Sequence, residues 1–490
     1  MRCSAISYII AEAVSREPIA TSTGKQLYHA RVLCPTSPKH IAFKEMIDKS
    51  SLSHFIKVGQ CLSHYLKRDQ PVVFVTGWDE HTELLGLILE TDGEIADYPG
   101  LAFAAFYTNW DDLDLTGVTN LFAHEFSHVW MHWLGMDMSL SISNKFHTST
   151  SITDFYMAFS EGFAECLEII TKDLTGYKVK DGELWDYAFD GNALISQRDG
   201  QLRYHAVKNN RFIYHTAIPH AEDFSTTYAN LHMAHITSTA FTPEKIKNGS
   251  QILSSEGAIA SVFFQIYAHE VFKNKYVEEN FYTAFGTTSQ ETAPIVNLLL
   301  KILYALSKID LRKPSLMTDF VRSYGVCFPA EKAELYNIFT RATHFATVSA
   351  KARELFGEIY RVGRRGATAE AVDMIQNIRN PMVVDLRAKL LDGELELDAA
   401  VYCELWITGD NKIPPTPWEP DTTVPYRFNI NTATAIDFMA INGVTLEIGE
   451  KLVDIREEQG GFMSTDEFWG YCSNFEGEVR DDKRHSQLEE

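Results

Sequence analysis

The sequence predicts an α+β fold: a small mixed sheet at the N-terminus, a long helical region behind it, and a small all-α module at the C-terminal end. Three observations carry that expectation. Short apolar runs separated by turn signals are confined to the part before residue 115, and apolar positions at helical spacing fill the stretch from 116 to about 400. A proline-rich segment then sets off the end of the chain.

In order, His40 to Lys67 shows apolar residues at helical spacing, and Pro71 to Gly77 (PVVFVTG) reads as a buried strand. Leu84 to Thr91, the hairpin signal Asp92-Gly93 and the run Gly100 to Tyr107 (GLAFAAFY) complete the sheet. Ala258 to Ala268 and Val296 to Ser307 are continuous helical runs, and no repeat of solenoid period occurs. Gly409 to Pro425 holds five of the sixteen prolines (Pro414, Pro415, Pro417, Pro420 and Pro425) and reads as a stiff extended linker. The expected division is 1–115 as the N-terminal α/β part, 116–408 as the central helices and helical lobe, 409–425 as linker, 426–475 as the C-terminal module and 476–490 as an acidic tail. With 490 residues the chain is too long for one compact core.

Hydrophobic residues make up 45% and charged residues 22%, which excludes wholesale disorder. Against 66 Asp+Glu stand 44 Lys+Arg, a net charge of -22, so broad electrostatic binding to nucleic acid or to an anionic membrane is not expected. The seven cysteines (Cys3, Cys34, Cys61, Cys166, Cys327, Cys403 and Cys472) are scattered and never spaced CxxC. They suggest neither a disulfide framework nor a cysteine zinc site, and a reducing compartment fits them. The N-terminal MRCSAISYIIAEAVSR has its short apolar run broken by Glu12 and falls short of a signal peptide. No stretch approaches the ~20 apolar residues of a bilayer span. A soluble, cytoplasmic protein is expected.

Residues 121–135 read LFAHEFSHVWMHWLG, so His124, Glu125 and His128 form HExxH in a helix predicted from near Thr116 to Gly135. Spacing i, i+4 puts both imidazoles on one face about 6 Å apart along the axis, able to share one tetrahedral Zn²⁺. Glu125 lies beside them, suitably placed to act as a general base on water. Phe122, Phe126, Val129, Trp130 and Trp133 imply a helix buried on most sides, where an unpaired carboxylate is expensive. His132 continues the ladder but sits about 12 Å from His124 along the axis, out of reach of the same metal, and reads as a packed histidine.

A second apolar helix, FYMAFSEGFAECLEII (Phe155 to Ile170), carries Glu161, Glu165 and Glu168 at i, i+4 and i+7 on one face. Its other faces are almost wholly apolar, so Glu161 and Glu165 are expected to serve the site, with Glu168 a turn further on at the solvent edge.

Together these segments resemble the gluzincin metallopeptidases, whose signature is HExxH followed by a separate helix bearing a ligand glutamate. The resemblance covers about 100 to 170. It implies a zincin-like catalytic domain (small mixed N-terminal sheet, active-site helix and helical C-terminal lobe) with zinc peptidase activity. His124 and His128 would be metal ligands, Glu161 of SEGFAE the third, and Glu125 the catalytic base. Glu165, at the place of the second acid in ExxxD, would be the partner of His124 that fixes its tautomer. Asp137 and His147 in the linking loop are the alternative third ligands. The 32 residues between His128 and Glu161 are nearer the gap of the glycyl aminopeptidase family, which also has a tryptophan where Trp130 stands. Met131 and Leu134 occupy the Gly and third-His places of HExxHxxGxxH, which excludes a metzincin.

By position, GLAFAAFY (100–107) matches the zincin edge strand that pairs with an extended substrate. Aminopeptidases of this clan carry a glutamate in a GxMEN-like motif there, whereas Gly100 to Ala104 reads GLAFA, so an endopeptidase is expected. The oxyanion donor is open among Tyr204, Tyr214, His215, Tyr228, His232 and His235. Ser254 to Ala268 looks like the helix after the oxyanion histidine in thermolysin-like enzymes, with no histidine at the matching place before it. Two other classes stay in view: an HExxH oxygenase or peptide-modifying enzyme using Fe²⁺, and a non-catalytic adaptor whose metal staples two helices. A structural site would not need Glu125.

Residues 428–468, with the entry NINTAT, a turn at Gly443, a helix to Gln459 and GGF, resemble the helix-hairpin-helix domains of competence and type II secretion proteins. Ser464 and Glu467 make an S-x-x-E capping signal for the next helix. In DNA-binding members, N–H groups of a GxG hairpin hold a phosphate. Here Thr445 replaces the second Gly, and residues 426–490 carry 14 acidic against 6 basic residues. The expected partners are a protein or peptide substrate at the metal site and a protein docked on the module, with neither DNA nor membrane.

Overall fold

The computed structural model describes residues 8–20, 24, 26–113, 117–142, 149–150, 152–176, 203–216, 241–313, 316–410 and 426–475. The fold is mixed α+β. Strands β1 (Tyr8–Ala20), β2 (Gln26–Val32), β3 (Val72–Thr76), β4 (Thr82–Thr91) and β5 (Glu94–Phe106) form the small N-terminal sheet, with helices α1 (Pro38–Lys49) and α2 (Ser53–Tyr65) between β2 and β3. The sheet closes on itself in the order β1-β2-β4-β5-β3. Neighbours β1/β3, β2/β4 and β3/β5 are parallel, β1/β2 and β4/β5 antiparallel.

The continuous apolar runs of β3 and β5 follow from burial on two sides. Val73, Val75, Leu101, Phe103 and Ala105 fill the inside of the closed sheet, whereas Val72, Phe74, Ala102, Ala104 and Phe106 join the larger core beneath the helices. The β4–β5 hairpin turns at Asp92 and Gly93, with φ of 50° and 84°, as a type I′ turn requires. The predicted helical run from His40 to Lys67 splits in two because Ser51 takes a φ of 59°. Strands β1 and β2 have no counterpart in the sequence prediction: β1 lacks strict alternation, and its pairing with β2 slips register twice.

The strand expected at the edge, 100–107, is interior where it matters. Ala104 to Phe106 pair with β3 on one side, and Ala102 to Ala105 pair with β4 on the other. Among the described residues, Thr82 to Leu85 of β4 pair with β5 alone, while β2 joins from Leu87 onward after an irregularity at Gly86.

Helix α3 (Val118–Trp133) lies on the outer face of β5, with Phe122 stacked 5.5 Å from Phe106 and Phe126 edge-on 4.9 Å from Phe74. Gly117 in the left-handed region precedes it, and the predicted start at Thr116 lies outside the described residues. Helix α4 (Phe155–Thr175) begins at Asp154, whose Oδ1 accepts from the N–H groups of Tyr156 and Met157. It is clasped between α3 and a later pair, α5 (Gly249–Leu253) and α6 (Glu256–Ala268). The short strands β6 (Tyr214–Thr216) and β7 (Phe241–Ile246) precede that pair, and further helices up to Asn380–Asp392 complete the lobe.

The C-terminal module does not begin where the prolines end. Strands β8 (Trp406–Thr408) and β9 (Arg427–Asn429) pair antiparallel across the proline-rich segment, of which 411–425 lies outside the described residues. Ile407 shares a small core with Tyr426, Phe428, Phe438 and Leu452. The stretch taken as a linker at 409–425 is therefore a connection inside the module. Helices α7 (Ala435–Phe438), α8 (Leu446–Gln459) and α9 (Thr465–Cys472) complete it. Ser464 caps α9 by accepting from Glu467 N, but the Glu467 carboxylate takes the Met463 N–H, so the capping box is only half closed. The tail 476–490 lies outside the described residues. Among the described residues no helix is long and apolar enough to cross a membrane.

Candidate metal centre

Helices α3 and α4 run antiparallel, which brings His128 opposite Ser160 and Glu161 and leaves His124 between Glu161 and Glu168. Glu161 Oε2 lies 3.5 Å from His124 Nε2 and 3.5 Å from His128 Nε2. Three donors holding one zinc at bonds of about 2.1 Å stand about 3.4 Å apart in a tetrahedron, so the spacing fits the ion. The three side chains are 13–14% exposed and open on one cleft of about 700 Å³. One oxygen of Glu125 and one ring nitrogen of each histidine lie within 4.8 Å of one another. Glu125 is thus near enough to share a water with the site. The compact set of three possible donors is His124, Glu125 and His128, and Glu161 Oε2 stands equidistant from both Nε2 atoms on the facing helix.

The surroundings of the two imidazoles differ. His128 Nδ1 lies 3.0 Å from Ser160 Oγ, a contact that holds the ring with Nε2 toward the cleft. His124 Nδ1 faces Glu168 Oε2 at 4.0 Å. The partner expected of His124 was Glu165, with Glu168 at the solvent edge; in the structure Glu168 is the carboxylate that faces His124, and Glu165 is buried beside Glu256 of α6. Relative to Glu161, position i+7 is rotated by about 20° and position i+4 by about 40° in the opposite sense, so Glu168 stays over α3 while Glu165 turns toward α6. Glu168 is buried, and although burial opposes its charge, Arg203 and Lys172 hold its pKa down to about 2. Glu165 is fully buried and raised well above the usual carboxylate range, by burial first and then by Glu256. Ser149 donates to it, and Arg203 Nη1 reaches its Oε1 at 3.1 Å.

Negative charge dominates the cleft. Burial opposes protonation of His128, but Glu161 together with Glu125 and Glu83 raises its pKa to about 9. Burial pushes Glu125 and Glu83 upward as well. Such a surplus of carboxylates around two imidazoles suits a divalent cation.

The other predicted residues stand outside the cluster of His124, Glu125, His128 and Glu161. Asp137 lines the outer part of the same cleft, is exposed, and caps the turn Met138–Leu140 by accepting from Ser139 N and Oγ. His132 lines the outer cleft near Arg68 and Asp137. Tyr204 donates to Asp173, the Tyr214 ring packs on His344, and His215 sits among Lys247, Glu457 and Arg456 at the junction with the C-terminal module. None of these last three lines the cleft. His147, Tyr228, His232 and His235 lie outside the described residues. Sequence reasoning missed Ser160, Glu83 and Arg203. Ser160 adjoins Glu161 and was within reach of a motif-based search; Glu83 and Arg203 arrive from distant segments and carry no local signal. Comparison of the chain with family models, with curated proteins and with solved structures finds no match.

Proposed function

We propose that the chain is a zinc-dependent peptidase of gluzincin type on a zincin-like domain, cleaving within peptide chains. The observation that carries this reading is the placement of Glu161 Oε2 at 3.5 Å from both Nε2 atoms; Glu125, with one oxygen within 4.8 Å of a ring nitrogen of each histidine, is read as the base and not as a ligand. His124, His128 and Glu161 would hold a Zn²⁺, which when bound would supply Lewis acidity toward water and a peptide carbonyl. Glu125 would accept a proton from water in the cleft and deliver it to the departing amine. Ser160 orients the His128 imidazole, and Glu168, 4.0 Å from His124 Nδ1 and beyond hydrogen-bond reach, sets a negative charge beside the other ring. The stretch Thr82 to Leu85 of β4, which no described strand but β5 pairs with, borders the cleft and would let an extended peptide add as a strand. This stretch takes the part expected of 100–107.

Six described cysteines are all free, which supports a reducing compartment and hence the cytoplasm. The C-terminal module is read as helix-hairpin-helix-like and as a protein-docking unit. Asn442 N, at its hairpin, already donates to Asp410 Oδ2 at 3.1 Å, so a carboxylate of this chain stands where a phosphate would be held.

The test is Glu125→Gln. It should retain about one zinc per chain and an unchanged melting temperature while peptide cleavage falls by about 10² to 10⁴-fold. Zinc-loaded Glu125→Gln protein that cleaves at the original rate would remove the mechanism.

A further inference from the structure

The helical lobe carries a basic patch on an acidic chain. Against a net charge of -22, residues 341–389 hold 9 basic and 5 acidic residues. Arginines elsewhere in the fold meet carboxylates: Arg203 pairs with Glu165, Arg322 with Asp398 and Arg353 with Glu457. Arg341, Arg379 and Arg387 differ, since among the described residues none of the three has an ion-pair partner. They come from the end of the helix Lys332–Ala342, from the π-helical turn Met374–Arg379 and from the helix Asn380–Asp392. Burial first, then Arg341, lowers the pKa of Arg387; Arg379 adds to this and Glu334 opposes it. Glu334 already meets His269 Nε2 at 3.0 Å, and Asp385 takes Lys389 at 2.7 Å. The mutual repulsion of the guanidinium groups is thus left without an adjacent anion.

Aromatic rings hold two of these cations in place. The Arg379 guanidinium lies 5.3 Å from the ring centre of Phe356 and that of Arg387 lies 5.7 Å from Phe345, while the two rings stack 6.4 Å apart. Phe345 reaches this place because His344 and Phe345 take φ of 48° and 59°, two successive left-handed residues where glycine would meet no strain. Such backbone persists where its surroundings over-determine it, commonly at ligand clamps, and π-helical turns are rare and frequent at functional sites. Strained turn, π-helical turn and unpaired cations all meet on one patch.

We infer that Arg341, Arg379 and Arg387 bind the doubly charged, tetrahedral oxyanion of phosphate, either free or as a monoester. Guanidinium forks match phosphate oxygens in pairs, and a monoester brings about -1.5 to -2 charges with three acceptors where a carboxylate brings one charge. The site is distinct from the metal cleft, whose lining residues all precede residue 162, and it does not rest on the peptidase reading.

The experiment follows binding by calorimetry and thermal melting of the full chain, with inorganic phosphate, glycerol 3-phosphate and acetate as probes at one ionic strength. Both phosphates should bind and raise the melting temperature, and acetate should do neither. Arg341→Gln, at an exposed helix end, and Arg379→Gln and Arg387→Gln should each weaken phosphate binding by about 10-fold or more, while Lys49→Gln, a distant exposed cation, should leave it unchanged. Tighter binding of glycerol 3-phosphate would mark a phosphate carried on a larger molecule, and equal or weaker binding the free ion. No binding of either phosphate, an equal response to acetate, or an equal loss in Lys49→Gln overturns the inference. Binding that survives all three arginine substitutions overturns it as well, since phosphate held at the metal cleft would not depend on them.

Discussion

Glu165 and Glu168 stand three positions apart, and the two carboxyl groups are held in opposite states. Arg203 and Lys172 keep Glu168 charged against the effect of burial, while burial and Glu256 favour the protonated form of Glu165. A carboxyl beside a carboxyl needs one shared proton, so Gln at 165 imitates what is already there. Glu165→Gln should therefore leave both melting temperature and zinc affinity nearly unchanged. Glu168→Gln takes the negative charge from beside His124 Nδ1 and leaves Lys172 and Arg203 short of a partner, so zinc affinity should fall by about 10- to 100-fold. Competition titration of zinc against a chelator, on both variants, decides it. An unchanged affinity in Glu168→Gln together with a loss in Glu165→Gln would restore the assignment made from sequence.

At the scale of elements, the glycine of SEGFAE has a packing role that its motif does not announce. A Cβ on Gly162 would stand 2.6 Å from Glu256 O and 2.6 Å from Ile259 Cβ, both on α6. A backbone oxygen cannot step aside as a flexible side chain can. Gly162→Ala should cost about 1–3 kcal/mol by overpacking and, by shifting α4, move Glu161 off its position and weaken zinc binding as well. Gly470, in α9, has nothing within 4 Å of its Cβ position, so Gly470→Ala should stabilise by about 0.5–1 kcal/mol. Thermal melting of both variants, with zinc titration of the first, checks the pair. Helices α3 and α4 also show what a sequence makes legible. HExxH and EGxxE reveal themselves because ligand spacing and apolar periodicity are local, and His124, His128 and Glu161 do converge. Which way Glu165 and Glu168 point was not legible, because the rotation that separates them matters only once α6 is known to occupy the far side of α4. The sheet was readable where both faces are buried, in β3 and β5, and not in β1, whose irregular pairing disrupts its alternation. The edge expected at 100–107 was misplaced for the same reason: pairing on both sides of β5 depends on strands far apart in the chain.

At the scale of the whole molecule, polar groups seat the C-terminal module on the helical lobe. Arg353, on the helix Ala350–Arg364, pairs with Glu457 of α8, and Asn248 Nδ2 donates to Glu457 Oε1 at 3.0 Å. Gln251 Nε2 donates to Thr432 O at 3.3 Å, and Ser250 Oγ donates to Tyr402 O at 3.1 Å. Within the module, fully buried Arg456 bonds Ile430 O, Ala433 O and Glu457 Oε1, so Glu457 couples the module's own pin to the lobe. Burial opposes the charge of Glu457, yet Arg456 and Arg353 hold its pKa at about 2. Its folded value lies below the ordinary 4.5, so its contribution is complete above pH 4.5 and is lost as pH falls toward 2. His215, at the same junction, is lowered to about 3 by burial and Lys247, and its contribution is complete above pH 6.5 and declines as pH falls from there. Glu404, before β8, is raised to about 7 by burial and Asp154 and acts the other way, losing its contribution as pH rises from 4.5 through 7. Seating should therefore be tightest between about pH 5 and 7. Glu457→Ala leaves two arginines without their carboxylate and should cost about 3 kcal/mol, read as faster hydrogen exchange in Trp406–Thr408 and Arg427–Asn429 at pH 6. A chain ending at Gly409 keeps β8 but removes β9, Thr432 and Glu457 and should melt below the full chain. Full melting temperature in that shortened chain, with exchange in Glu457→Ala unchanged, would return the module to the role of a freely tethered domain.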